Sequence, residues 1–173
     1  GRWISYMRVS GGTTQVAKIM PAASPPVVLA KAAEPVIDQY TTTAWSPSGE
    51  WILYPTGDGF SLISPDGESG RKLTSRKFLA YGFSKDGRQL LGIQRATNHK
   101  EPDWQLFAID VNTGAEKFLA PVELPASTAN VASFSLHPDG KRFLTSIAKW
   151  PYEIWMLEGF DERNTWFSRL FGR

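Results

Sequence analysis

The sequence predicts an all-β chain in which short antiparallel strands recur in sets of four. Three observations predict it. A glycine-cornered turn is written three times, as "WSPSGEWILY" (45–54), "FSKDGRQLLG" (83–92) and "LHPDGKRFLT" (136–145). Seven Trp and ten Phe in 173 residues are a heavy aromatic load, and aromatic side chains favour strands over helices. Up to the C-terminal tail, no segment shows the apolar spacing of a helix strongly enough to compete with the strand reading.

The turns align on Gly49, Gly87 and Gly140. Four residues before each glycine stands a large apolar residue (Trp45, Phe83, Leu136), followed by Ser46, Ser84 or His137. Ser48, Asp86 or Asp139 immediately precedes the glycine. A Ser/Asp-Gly pair between two strand-like runs is a hairpin signal, because glycine takes the positive φ that such a turn needs.

After each hairpin come two more strand-like runs. "WILYP" is followed by "FSLIS" and "RKLT", "QLLGIQ" by "WQLFAIDV" and "EKFLAPV", and "RFLTSI" by "EIWMLEGF" and "TWFSRLF". The opening segment fits the same scheme without its first strand, as "WISYM", "TQVAKIM" and "PVVLAK". Prolines on both sides of "LAKAAE" argue against a helix there. The tail, residues 164–173, reads equally as a strand or as a short amphipathic helix with Trp166, Phe167, Leu170 and Phe171 on one side. The glycines lie 38 and 53 residues apart, the longer interval carrying the insertions "RATNHKEPD" and "PASTAN". Insertions at turns leave a strand core intact.

Four-stranded units repeating about every 40 residues are the signature of β-propeller blades. A single twisted four-stranded sheet cannot cover both of its faces, so blades stack on one another. The expected blades span about 1–31, 40–75, 78–121 and 130–171 of a single domain, the first lacking its first strand. "GRWISYM" therefore reads as the middle of a blade. The expectation is either the C-terminal part of a ring of six to eight blades or two copies closing an eight-bladed ring. Open blade faces and unpaired strand edges would favour such self-association.

The pattern Trp/Phe-Ser-x-Asp/Ser-Gly-x-x-apolar, clearest in "SPSGEWILY" and "DGKRFLTS", resembles the WD40-like propeller repeats of the TolB type. "FSLISPDGES" (60–69) and "EIWMLEGF" are similar to that group as well. The resemblance covers essentially the entire chain. It implies an extracytoplasmic, periplasmic place in a bacterium, and a sensing or docking role within a longer protein. It also leaves open an accessory propeller beside a serine peptidase or Ser/Thr kinase domain.

The chemistry-bearing residues point away from catalysis in the chain itself. "GFSKDG" has Asp86 where a hydrolase elbow needs its second glycine, and a strand follows where a helix is required. Ser84 thus reads as a turn residue. His99 and His137 are the only histidines and neither has a partner at ligand spacing. His137 replaces the repeat serine and is expected to cap its turn. "VSGGTT" (9–14) lacks both the Lys-Ser/Thr and the helix of a phosphate loop, and Asp66 and Glu68 of "SPDGES" read as turn residues. Neither a metal nor a cofactor is expected.

With no cysteine, disulfides and thiolate chemistry are excluded. A net charge of +2 with scattered Lys and Arg gives no nucleic-acid surface, and no apolar run reaches the length of a membrane helix. What remains is recognition: a protein partner or small ligand held at the loops between strands. The insertions direct attention to His99 and Trp104 in "RATNHKEPDW", and to Trp150 and Tyr152 beside Pro151 in "AKWPYEIW". Aromatic residues with a polar handle often anchor partners; packing between blades is the competing role for the same rings.

Overall fold

The structure is a computed structural model that describes residues 2–10, 13–21, 25–32, 42–96, 103–125, 128–137, 139 and 142–149. Every regular element among them is a strand. No helix of the described residues is long and apolar enough to cross a membrane.

The first sheet is three-stranded, β1 (Ile4–Ser10), β2 (Thr13–Ile19) and β3 (Val27–Ala32), in the order β1-β2-β3. The second contains β4 (Ala44–Trp45), β5 (Ile52–Thr56), β6 (Gly59–Ile63) and β7 (Gly70–Thr74) in sequential order. The third contains β8 (Ala80–Phe83), β9 (Gln89–Arg95), β10 (Trp104–Asp110) and β11 (Glu116–Pro121), again in sequence. All pairings are antiparallel. These are the four-stranded meanders expected from the repeat, with a three-stranded sheet ahead of them.

The fourth unit begins as two short ladders, β12 (Thr128–Val131) with β15 (Ile147–Lys149) and β13 (Ser135–Leu136) with β14 (Phe143–Leu144). "RFLTSI", expected as one run, is thus broken at Thr145 and Ser146. There Thr145 Oγ1 donates to the Ser133 carbonyl, and the Ser133 and Ser146 hydroxyls lie 2.9 Å apart. Side chains that bond across the hairpin here divert the backbone from a regular ladder. "EIWMLEGF", "TWFSRLF" and the strand-or-helix question at 164–173 lie outside the described residues.

The repeated turns share one hydrogen-bond pattern. In the β8–β9 turn, Gly87 N–H donates to the Ser84 carbonyl, and Ser84 N–H to the Gln89 carbonyl. Ser84 Oγ accepts from Gln89 N–H at 3.0 Å and donates to Asp86 Oδ1 at 2.6 Å. The β4–β5 turn repeats the backbone bonds with Ser46, Gly49 and Trp51. The β6–β7 turn repeats them with Ser64, Gly67 and Ser69, the Ser64 hydroxyl again donating to an aspartate, Asp66. Gly49, Gly67 and Gly87 have φ of 76°, 83° and 71°, a left-handed conformation that side chains disfavour. In the fourth unit His137 N–H donates to the Arg142 carbonyl and His137 Nδ1 accepts from Asp139 N–H at 3.2 Å, so the imidazole does cap its turn.

Burial explains why the inner strands read as nearly unbroken apolar runs. Leu53, Phe60, Leu62 and Leu73 of the second sheet pack with Phe78, Leu90, Phe107, Ile109 and Val111 of the third sheet and its flanks. Each fully buried side chain of this kind contributes about 1.5–3 kcal/mol. Phe60 stacks on Phe78 at 5.9 Å and meets Tyr81 edge-on at 4.6 Å. A second cluster, Ala80, Ile93, Trp104 and Val131, joins the third sheet to the fourth unit. The outer strand β11 is exposed along most of its length.

Polar clasps also cross between sheets. Thr74 Oγ1 donates to Glu116 at 2.6 Å, and Arg76 Nε donates to the same carboxylate at 2.6 Å with its guanidinium 3.7 Å over the Phe107 ring. Arg71 donates to the Val111 carbonyl and Lys18 to the Pro65 carbonyl. Tyr81 Oη donates to the Thr42 carbonyl, and burial raises the pKa of this phenol above its ordinary value.

Sequential antiparallel order puts the connections at two opposite ends of the sheets. Turns between first and second strands, and between third and fourth, share one end, where the corners at Gly49, Gly67 and Gly87 stand. Connections between second and third strands, and links from one sheet to the next, share the other end. Residues 75–79 and 122–125 belong to this link end.

Candidate functional site

At the link end of the third sheet, where it meets the fourth unit, the described residues line a half-open cavity of about 430 Å³. Small-molecule sites usually fall between about 300 and 1,000 Å³. Trp104, the first residue of β10, and Thr128, the first residue of β12, are 5% and 6% exposed and form its buried side. Half-buried Val122 and Leu124 provide apolar walls. Arg95, Asp103 and Glu123 stand exposed at its rim, with Pro121 and Pro125 between them.

Local hydrogen bonds fix this frame. Ala96 N–H donates to the Asp103 carbonyl at 2.9 Å and closes the base of the 97–102 connection. Val122 N–H donates to the Trp104 carbonyl at 2.9 Å, tying the outgoing link to β10. Thr128 N–H donates to the Pro125 carbonyl at 2.8 Å. The Arg95 guanidinium lies 5.8 Å from the centroid of the Trp104 ring, within cation–π range.

One polar atom is left over. Thr128 Oγ1 is buried and has no hydrogen-bond partner. A buried hydroxyl without a partner costs about 1–3 kcal/mol, and this one presents no surface to the cavity.

Of the residues singled out in the sequence, Trp104 lies at this cavity. Its ring packs among Ala80, Ile93 and Val131, the competing role weighed for the aromatics, and the residue also lines the cavity. His99, Trp150 and Tyr152 lie outside the described residues. Sequence reasoning missed Arg95, Asp103, Val122, Glu123, Leu124 and Thr128. They come from three separate segments, and no local pattern announces their meeting.

Ser84 is fully engaged in its turn, and His137 in the cap with Asp139 and Arg142. Asp66 and Asp86 have pKa values lowered first by the hydroxyls of Ser64 and Ser84, then by backbone N–H groups. Asp110 is lowered first by the Thr113 amide and then by its hydroxyl. These shifts belong to turn geometry at the end opposite the cavity. Among the described residues, no three His, Asp or Glu side chains come together as a metal-holding group.

The antiparallel four-stranded sheets, stacked through buried apolar clusters, define the class: a TolB-like, propeller-type fold. Among solved structures the chain is similar to TolB from Acinetobacter baumannii, with a TM-score of 0.62 and 19% identity over 83% of this chain and 35% of that one. It is more distantly similar to the acylaminoacyl peptidase of Pyrococcus horikoshii, with a TM-score of 0.49 and 13% identity, covering 75% of this chain and 24% of that one. A further similarity is to the C-terminal WD40 domain of Sif2, with a TM-score of 0.43 and 13% identity over 80% and 40% of the two chains. The chain spans about a third of the length of TolB. No protein-family model matches the chain, and no curated protein is recognisably similar to it in sequence.

Proposed function

We propose that this chain is a recognition module without catalysis of its own, which receives a protein partner or small ligand at the link end of its blades. The observation that carries this reading is the cavity between the third sheet and the fourth unit. Packed sheets and short hydrogen-bonded turns make a rigid frame, and recognition on such frames falls to the connections. The turn end offers little for this purpose, because its polar groups already satisfy one another. The TolB-type resemblance further supports an extracytoplasmic place of action.

Site-specific photo-crosslinking in the intact protein tests the reading. A photoreactive residue at Glu123 is expected to capture a discrete partner in the native host, whereas the same residue at Glu68, on the turn end, is not. Equal capture at the two positions, or none at Glu123, would falsify the assignment of the link end.

A further inference from the structure

A bulge recurs in the last strand of each of the first three sheets. The residue that the register passes over is Leu29 in β3, Leu73 in β7 and Leu119 in β11. The first two meet the turn between the third and fourth strands of the next sheet. A Cβ at Gly67, in the β6–β7 turn, would stand 3.4 Å from the Leu29 carbonyl oxygen. One at Gly114, in the β10–β11 turn, would stand 2.9 Å from that of Leu73. A cation clasps each of these turns as well: Lys18 donates to the Pro65 carbonyl, and Arg71 to the Val111 carbonyl.

The third sheet carries the same holder. Lys117 stands two residues before Leu119, as Arg71 stands two before Leu73. It lies opposite Ala108 of β10. Strand alternation puts Ala108 on the face of Trp104 and Leu106, which pack with the fourth unit. The leucine of this holder is open, however: Leu119 is 41% exposed, against 5% for Leu73.

We infer that Lys117 and Leu119 form the seat for a segment of this same chain, the connection "DERN" (161–164), which lies outside the described residues. Three observations select this occupant. It joins "EIWMLEGF" to "TWFSRLF", the third and fourth runs of the fourth unit, just as the β6–β7 and β10–β11 turns join the third and fourth strands of their sheets. The fourth unit already rests on that face of the third sheet through Val131. Asp161 and Glu162 outnumber Arg163, so the segment brings net negative charge to Lys117, and complementary charge fixes register.

The 173 residues contain no cysteine, so a pair introduced as Lys117→Cys and Glu162→Cys reports on its own encounter. Mild oxidation of the intact protein is expected to link the two within one molecule, since a disulfide needs Cα atoms within about 7 Å. Lys117→Cys paired with Glu68→Cys, in the turn that leans on the first sheet, should stay unlinked. Leu119→Ala should lower the urea midpoint as Leu73→Ala does, because truncating a covered leucine leaves a cavity. A link formed only between molecules would give the seat to a second copy. That result, no link at all, or a midpoint unmoved by Leu119→Ala overturns the inference.

Discussion

Gly92 shows how much can rest on one missing side chain. A Cβ placed there would stand 2.3 Å from Cγ of the Phe78 ring. Phe78 lies on the link into the third sheet and packs flat on the β9 backbone at Gly92, which lets it join the core shared with Phe60. Gly92→Ala is therefore expected to destabilise the protein by about 1–3 kcal/mol, as overpacking does, read as a lower urea midpoint. Combining it with Phe78→Leu should cost less than the sum of the two changes, because they contend for one space; strict additivity would argue against the contact. In the sequence, Gly92 is a glycine inside a strand run, a sign of close approach without any sign of what approaches. The cavity was harder still to foresee. Trp104 stood out as an aromatic residue beside an insertion, but Thr128 is an ordinary threonine until β12 places it under the link from β11.

The Ser-x-Asp-Gly turns were legible because their geometry is local. Glycine supplies the left-handed corner, and the serine hydroxyl and aspartate carboxylate bond within five residues of themselves. A further copy, Ser64 to Gly67, escaped alignment with the others because it joins third and fourth strands where they join first and second; the turn chemistry expected for Asp66 holds nonetheless. Less legible was a register shift between the last two strands in each of the first three sheets, at Val16/Ala17, Phe60/Ser61 and Leu106/Phe107. A bulge strengthens local twist, but one extra residue leaves no mark in an apolar pattern. The turns carry their own prediction. The pKa of Asp86 is lowered in the folded chain by Ser84 and then by the Arg88 amide. Its stabilising contribution is full above the ordinary aspartate range and is lost as pH falls through that range towards the lowered folded value. Asp86→Asn keeps an acceptor oxygen but cannot titrate. Urea unfolding at pH 6 and pH 3 should therefore show a smaller acid loss in the variant, and equal losses would remove Asp86 from the account.

Across the whole molecule, burial is uneven. The larger core cluster lies between the second and third sheets, whereas the first sheet exposes Ile4, Val9, Val27 and Val28. In stacked repeats, stability is approximately a sum of each unit's own contribution and its interfaces. Amide exchange should consequently be slowest in β5, β6, β9 and β10, and faster in β1, β3 and β14. Uniform protection from β1 to β15 would mean that the sheets open as one body. Cohesion between neighbours was foreseeable from the aromatic load, but the identity of the clasps was not, since Arg76 and Glu116 are forty residues apart.

Three of the left-handed glycines touch the preceding sheet, although Gly49 does not. Gly67 lies against Leu29, Gly87 against Pro47 and Gly114 against the Leu73 carbonyl. Each repeat thus brings along the small knuckle by which it leans on its predecessor. A gene that gains or loses a whole copy would hand the newcomer its means of attachment, so lineages could change the number of copies without inventing a seam.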